Sequence, residues 1–264
     1  MTEGNVSTEE PATRTDLVGS LARGLGVLEI LAAHPAGLSM SEIADRAGLT
    51  RAGARRFLLT LVATGYARQD GRIFRLSPRL ITLGRTWLSG ASLWTYAEPF
   101  LREVSQALNE SYSAAVLAGD DIIYVARVAG GRIVGVALHV GARLPAFCTS
   151  MGRIILSDLS DDELAGFLER ATIRANTDRT VTDPRHLFRL IAKARTDGYA
   201  LIDQELEIGL RSIAVPIRDR AGRIVAAINV STQSARMPVS EMEREFLPLL
   251  KKAAASIEDF FVVQ

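Results

Sequence analysis

The sequence predicts an α+β protein: an amino-terminal winged helix-turn-helix, then a carboxy-terminal antiparallel sheet domain flanked by helices. Three observations lead there. Residues 39–76, SMSEIADRAGLTRAGARRFLLTLVATGYARQDGRIFRL, run in the order helix, tight turn, basic second helix and two-stranded wing. Basic charge is concentrated in the same stretch. Residues 14–90 hold 11 arginines, no lysine and 5 acids, a net +6, whereas residues 91–264 hold 20 Lys+Arg against 22 Asp+Glu. From Ser111 onward, helical spacing gives way to alternation of apolar and polar residues. The expected organisation is a disordered tail (1–16), the winged module (17–77), a linker helix (78–95) and a second domain (96–264).

The winged module is read residue by residue. Leu17 to Ala33 forms a first helix, with Leu21, Leu25, Leu28, Leu31 and Ala32 as its apolar stripe, stopped by His34-Pro35. Ser39 caps the next helix and Glu42 closes a capping box. Gly48 ends that helix through a left-handed backbone, and Thr50 caps the one after it. In this second helix Ala54, Phe57, Leu58 and Leu61 make the buried stripe, which leaves Arg51, Arg55 and Arg56 off it or at its edge. Tyr66–Arg68 and Arg72–Leu76 pair as strands across an Asp70-Gly71 turn. An arginine fork pairs with both acceptors of a guanine edge or grips a phosphate. The candidate DNA-binding set is therefore Thr50, Arg51, Ala52, Gly53, Arg55 and Arg56 at the helix start, with Arg72 of the wing and Arg23. Arg23 is placed either to reach a phosphate or to remain a solvated surface group. The competing reading, a winged module that binds protein, does not account for the confined positive charge.

Bulk properties exclude several classes. A chain of 264 residues that is 48% hydrophobic suits two modest globular domains. The first 13 residues carry −3 and show no order of a secretory signal, and no apolar run reaches membrane-spanning length. The single cysteine, Cys148, cannot form an internal disulfide, which fits a cytoplasmic location. There are three histidines, no Gly-x-Ser-x-Gly elbow, no phosphate-cradling glycine loop and no metal-spaced cluster. An enzyme, a metal site and a cofactor are not expected.

Beyond the wing, Ser77 caps a helix with Pro78 in its first turn and Leu80, Leu83, Trp87 and Leu88 on its apolar side. Gly90-Ala91-Ser92 interrupts it, and Leu93 to Asn109 continues with Trp94, Tyr96, Phe100, Leu101, Val104 and Leu108 inward. The two tryptophans need burial that neither domain obviously supplies alone. Either they pack on the adjacent domain or the connecting helices form a dimer interface, the reading favoured here. Strands follow at Ala114–Leu117, Ile122–Val128 and Ile133–Val140, then a loop over Gly141–Pro145. Helices are expected at Thr149–Leu156, at Asp161–Arg170 behind a Ser160–Glu163 capping box, and from Thr182 and Pro184 through Thr196 to Gly198. Tyr199–Asp203, Arg211–Ile217 and Arg223–Ser231 are strands. Ser240 with Glu243 caps a final helix that Pro248 should kink or restart.

Four blocks carry a resemblance: RGLGVLEIL (23–31), LSMSEIADRAGLTRAGARRFLLTL with GYAR (38–61 and 65–68), LPAFCTSMGRIIL (144–156) and DGYALIDQELEIGLRSIAVPI (197–217). From about Arg23 to Phe260 the chain resembles the isocitrate-lyase-regulator (IclR) family of bacterial transcriptional regulators. The form LPAFCTSMGR is similar to the branch that regulates catabolism of protocatechuate and p-hydroxybenzoate, in the β-ketoadipate pathway. The resemblance implies a GAF-like effector domain and dimers, or dimers of dimers, on double-stranded operator DNA. It places the effector pocket at Ser150 and Met151, at Ser212, and at Asn229 and Ser231, with Asp203 and Glu205 on the bordering loop. Two departures stand out. Gly53 occupies a position where the family usually carries a hydroxyl, and Ser150-Met151 one where small residues are common.

The residues themselves point towards an acidic ligand. Thr149 to Arg153 opens a helix whose first backbone N–H groups are free to meet a carboxylate. Arg143 and His139 lie upstream, either as added charge for that site or as surface groups. In Arg223–Ser231, alternation puts Ile224, Ala226 and Ile228 on one face and Val225, Ala227, Asn229 and Ser231 on the other, a pocket wall with a few orienting groups. Arg211 beside Asp203, Glu205 and Glu207 reads as a structural ion pair. Cys148 reads as a small buried residue. The first expectation is thus a DNA-binding regulator that senses a small aromatic or aliphatic carboxylate. The alternatives are a regulator whose second domain only oligomerises or contacts RNA polymerase, and an enzyme acting on a small acid.

Overall fold

The computed structural model describes residues 18–80, 83, 93–128, 130 and 138–260. The chain divides into two compact units, residues 1–87 and 88–264. The expected tail at 1–16, Trp87 and the Gly90-Ala91-Ser92 interruption lie outside the described residues.

In the first unit, α1 (Gly19–Ala32), β1 (Leu38–Ser39), α2 (Met40–Arg46) and α3 (Arg51–Ala63) precede the wing strands β2 (Ala67–Asp70) and β3 (Ile73–Leu76). The sheet order is β1-β3-β2. The short β1 is not anticipated by the sequence pattern; it pairs Leu38 with Phe74 and fastens the wing to the start of α2. Both halves of the Ser39–Glu42 capping box form. Gly48 takes the left-handed backbone that ends α2, at φ 60°. The wing turn sits one residue later than expected: Asp70 pairs with Ile73, so Gly71-Arg72 makes the turn.

The stripe of α1 is corrected. Val27 and Leu31 are the buried residues, while Leu21 and Leu25 are 61% and 52% exposed. The helix has two apolar faces, and only one enters the core with Ile43, Leu58 and Phe74.

The second unit is a six-stranded antiparallel sheet between two helical layers. Its strands are β4 (Ser111–Ala118), β5 (Asp121–Val128), β6 (Arg143–Pro145), β7 (Ala200–Asp203), β8 (Leu210–Arg218) and β9 (Ile224–Gln233), in the order β6-β5-β4-β9-β8-β7. The helices are α4 (Leu93–Leu108), α5 (Ser150–Leu156), α6 (Asp161–Arg170), α7 (Pro184–Asp197) and α8 (Val239–Glu258). One face packs Tyr112, Ile213, Val215 and Ile228 against α4 and α8. The other packs Ala115, Ala214 and Ala227 against α5, α6 and α7. Small residues on that second face let α5 lie close to the strands.

Several expectations change here. Residues 141–145, expected as a loop, include the edge strand β6, which pairs Leu144 with Ile122. The strand expected at 133–140 lies largely outside the described residues, and its described end, 138–140, is not strand. Trp94 is buried within its own unit, so this tryptophan needs no second domain to cover it. Tyr96 is exposed and tilts against Phe100 and Phe260. Asp183, not Thr182, caps α7.

The expected Ser240–Glu243 box is absent. Pro238 precedes α8 with no side-chain cap, and Glu243 instead accepts the Tyr199 hydroxyl at 2.7 Å. The helix continues through Pro248. In β9 a bulge between Ile217 and Arg218 of its partner shifts the phase. Ile224 therefore packs with the Ala227 side and Val225 with the opposite side, the reverse of simple alternation.

Candidate DNA-reading surface and ligand cavity

Thr50 caps α3 by accepting the Gly53 N–H at 3.1 Å. Ala54 and Leu58 anchor the helix to the core, which turns Arg51, Ala52, Arg55 and Arg56 outward and leaves them exposed. The arginines part to two sides. Arg55 lines a cleft with Gln69, Gly71 and Arg72 of the wing and with Ser39 and Ser41 at the start of α2. Arg56 and Gly53 line a larger apolar groove that includes Arg23, Leu21, Leu25 and Leu28 of α1 and Leu80 and Leu83. Arg23 donates through Nε to the Gly19 carbonyl of its own helix at 3.0 Å, which holds the guanidinium along α1 at the rim of that groove. A fixed helix, a wing and exposed cations on one module suit the grooves and backbone of a duplex.

The cavity of the second unit is built on the small-residue face of the sheet. Cross-strand register puts polar residues in rows. One row runs Ser111, Ser231, Ser212 and Ile202; the next runs Arg127, Ser113, Asn229 and Ala214. Thr149 and Ser150 at the start of α5 close one side, and Leu206 and Leu210 close another. The enclosed space is narrow, about 20 Å³, room for about one water, so a larger ligand enters only as the walls part.

Its electrostatics are simple. Burial pushes the Tyr124 hydroxyl up to about 12. Burial, with Glu205 nearby, pushes the Cys148 thiol up to about 12. Both are neutral near neutral pH, so Arg127 is the one charged group among the described lining residues. Asn229 donates to Ser231 Oγ at 3.2 Å, but Asn229 Oδ1 and Ser150 Oγ are buried without a partner among the described residues. A buried polar atom without a partner costs about 1–3 kcal/mol, which a bound molecule supplying the missing hydrogen bonds would recover.

The expected site residues separate accordingly. Ser150, Ser212, Asn229 and Ser231 come together on the cavity wall. Met151 turns away into the core beneath it. Glu205 is buried against Arg153 at 2.7 Å and accepts the Val181 N–H at 3.0 Å. It anchors the loop that carries Leu206 and does not line the cavity. Asp203 pairs with Arg211 at 2.8 Å. Arg143 is elsewhere: on edge strand β6 it reaches Asp121 at 3.1 Å and the Ala118 carbonyl at 3.0 Å. His139 faces solvent beside the Val140 carbonyl.

Arg127 and Ser111 join the wall without having been expected there. Arg127 follows a bulge: Ala114 pairs with Ala126 while Ala115 pairs with Tyr124, leaving Val125 as the extra residue. Simple alternation places Arg127 opposite Tyr124; the bulge returns it to the same face. The alternate serines at 111 and 113 are a legible signal of a polar wall.

A winged helix with a basic reading helix, joined in one chain to a sheet domain with a narrow polar cavity, suits the class of ligand-responsive DNA-binding regulators. The IclR helix-turn-helix domain matches residues 20–71, and the bacterial transcriptional regulator IclR C-terminal domain matches residues 85–259. The chain is 46% identical to the Pca regulon regulatory protein of Pseudomonas putida, over 92% of this chain and 84% of that protein. It is 31% identical to the p-hydroxybenzoate hydroxylase transcriptional activator of Acinetobacter baylyi, over 96% of this chain and 95% of that one. A crystal structure of an IclR homolog from Microbacterium hydrocarbonoxydans, complexed with 4-hydroxybenzoate, superposes with a TM-score of 0.81 at 28% identity, covering 93% of this chain and 100% of that one. The chain belongs to the IclR family of transcriptional regulators.

Proposed function

We propose that this regulator controls genes for the breakdown of a hydroxylated aromatic acid, and that the acid binds in the sheet-domain cavity with its carboxylate on Arg127. The observation that carries this reading is the cavity's composition: among the described residues, one cation beside two buried polar atoms, Ser150 Oγ and Asn229 Oδ1, that lack partners. A carboxylate suits the arginine fork, an aromatic ring suits the leucines, and a ring hydroxyl suits the orphaned atoms. The names of the relatives, a Pca regulon regulator and a p-hydroxybenzoate hydroxylase activator, support the same ligand class.

The ligand is sensed and not converted. With Cys148 and Tyr124 neutral, the described lining offers no group ready to act as a base or a nucleophile near neutral pH. The acid acts by binding two states of the protein unequally, since equal affinity shifts nothing. On the DNA side, Arg51, Arg55 and Arg56 of α3, with Arg72, contact the operator, and two copies of the chain engage two half-sites. The exposed Leu21 and Leu25 beside the apolar groove of α1 and α3 support association with a second copy.

Calorimetric titration of the full chain with p-hydroxybenzoate and protocatechuate, with benzoate as control, tests the ligand. Micromolar binding of a hydroxylated acid, recovered unchanged by chromatography, is expected. No heat from either hydroxylated acid contradicts the proposal, and conversion of the acid revives an enzyme.

A further inference from the structure

The outward crest of α3 is apolar between its arginines. Ala52 and Leu59 are both exposed, Leu59 by 40%. Seven residues apart, they share nearly one azimuth of the helix and stand about 10.5 Å apart along it. Ala54 and Leu58 hold the opposite side of the helix in the core; Ala52 stands in solvent, and Leu59 lies at the cleft that α3 forms with the wing, where it remains accessible to a duplex. Arg55 flanks it on the side of the wing and Arg56 on the side of α1. An apolar ridge between two cations, in a stretch (residues 14–90) of net charge +6, fits a duplex. In the major groove one group is apolar, the thymine 5-methyl. A separation of about 10.5 Å is close to three base steps at about 3.4 Å each.

We propose that Ala52 and Leu59 read thymine methyl groups about three base steps apart within each half-site, while Arg55 and Arg56 take the polar edges or phosphates beside them. This rests on the assignment of α3 as the reading helix and adds a base preference to it. The operator is selected from a random-sequence duplex library with the full chain. Each thymine of the selected duplex is then replaced by deoxyuridine, which removes only the methyl group. Two sensitive positions about three steps apart are expected, each weakening binding roughly fourfold. Leu59→Ala, an exposed substitution that spares the core, should make one of them indifferent to the methyl group. A selected duplex on which every deoxyuridine is neutral, or on which Leu59→Ala leaves both penalties unchanged, overturns the proposal while DNA binding stands. Failure to enrich any duplex overturns the assignment of α3 as well.

Discussion

Gly152→Ala should collapse the cavity wall while leaving the winged module intact. Gly152 sits in α5 directly over the turn at Ala146. A β-carbon there would lie 2.1 Å from the Ala146 carbonyl oxygen, 2.4 Å from its Cα and 2.6 Å from its carbonyl carbon. All three are backbone atoms and cannot swing aside. All seven residues of α5 are buried, so the helix cannot retreat without opening the packing behind it. Overpacking of this kind costs roughly 3 kcal/mol, and at about 2–4 °C per kcal/mol for a unit of this size the melting temperature falls by about 6–12 °C. Ser150, two residues away, moves with the helix, so ligand affinity falls too. Gly166→Ala is the control. It lies within α6, where the nearest atom to a new β-carbon is Arg170 Nη1 at 4.0 Å, and it should stabilise by about 0.5–1 kcal/mol. Calorimetric melting of the three proteins, with ligand titration of each, decides. If Gly152→Ala melts with the wild type and binds ligand equally, the close approach of α5 to Ala146 is not what shapes this cavity.

Three other outcomes follow from the same structure. Arg55→Ala and Arg56→Ala should each weaken binding to the selected duplex with unchanged melting, and removing one phosphate-binding cation should lower the salt dependence by about one unit of slope; fluorescence anisotropy across a salt series measures both. Glu205→Ala leaves Arg153 buried without its carboxylate, and should cost about 3–5 kcal/mol in denaturant unfolding. Burial raises the Glu110 carboxyl above its ordinary range, against the pull of Thr232 and Arg236. A raised folded pKa means that this group's contribution is present below its unfolded pKa and is lost as pH rises through the folded value. Glu110→Gln should therefore gain in melting temperature relative to wild type as pH rises from about 4 to 7, and a difference that is flat with pH would remove that assignment.

Much of the fold is legible in the sequence because its signals are local. The boxes at Ser39–Glu42 and Ser160–Glu163 involve only residues three apart, and both form. The same pattern at Ser240–Glu243 fails because Tyr199, 44 residues away in sequence, takes the carboxylate. Periodicity finds α1 but not which of its two apolar faces enters the core, since that choice belongs to α2, α3 and the wing. The cavity is half legible. Asn229 and Ser231 follow from strand alternation and family likeness, Ser150 and Ser212 from family likeness, and Arg127 from neither. One extra residue at Val125 changes which face it occupies, and a bulge is a property of two paired strands. Glu205 and Arg143 look like ligand-binding groups because charge near a pocket invites that reading; their partners, Arg153 and Asp121, lie 52 and 22 residues away in sequence.

The most direct test is the effect of p-hydroxybenzoate on operator affinity in the wild type and in Arg127→Gln. Anisotropy titrations of the selected duplex, with and without the acid, give the coupling between the two sites. The account predicts a shift in wild-type affinity that disappears in Arg127→Gln, whose affinity without the acid is unchanged. An equal shift in both proteins would mean that Arg127 does not hold the acid, and no shift in either would contradict control by a bound acid.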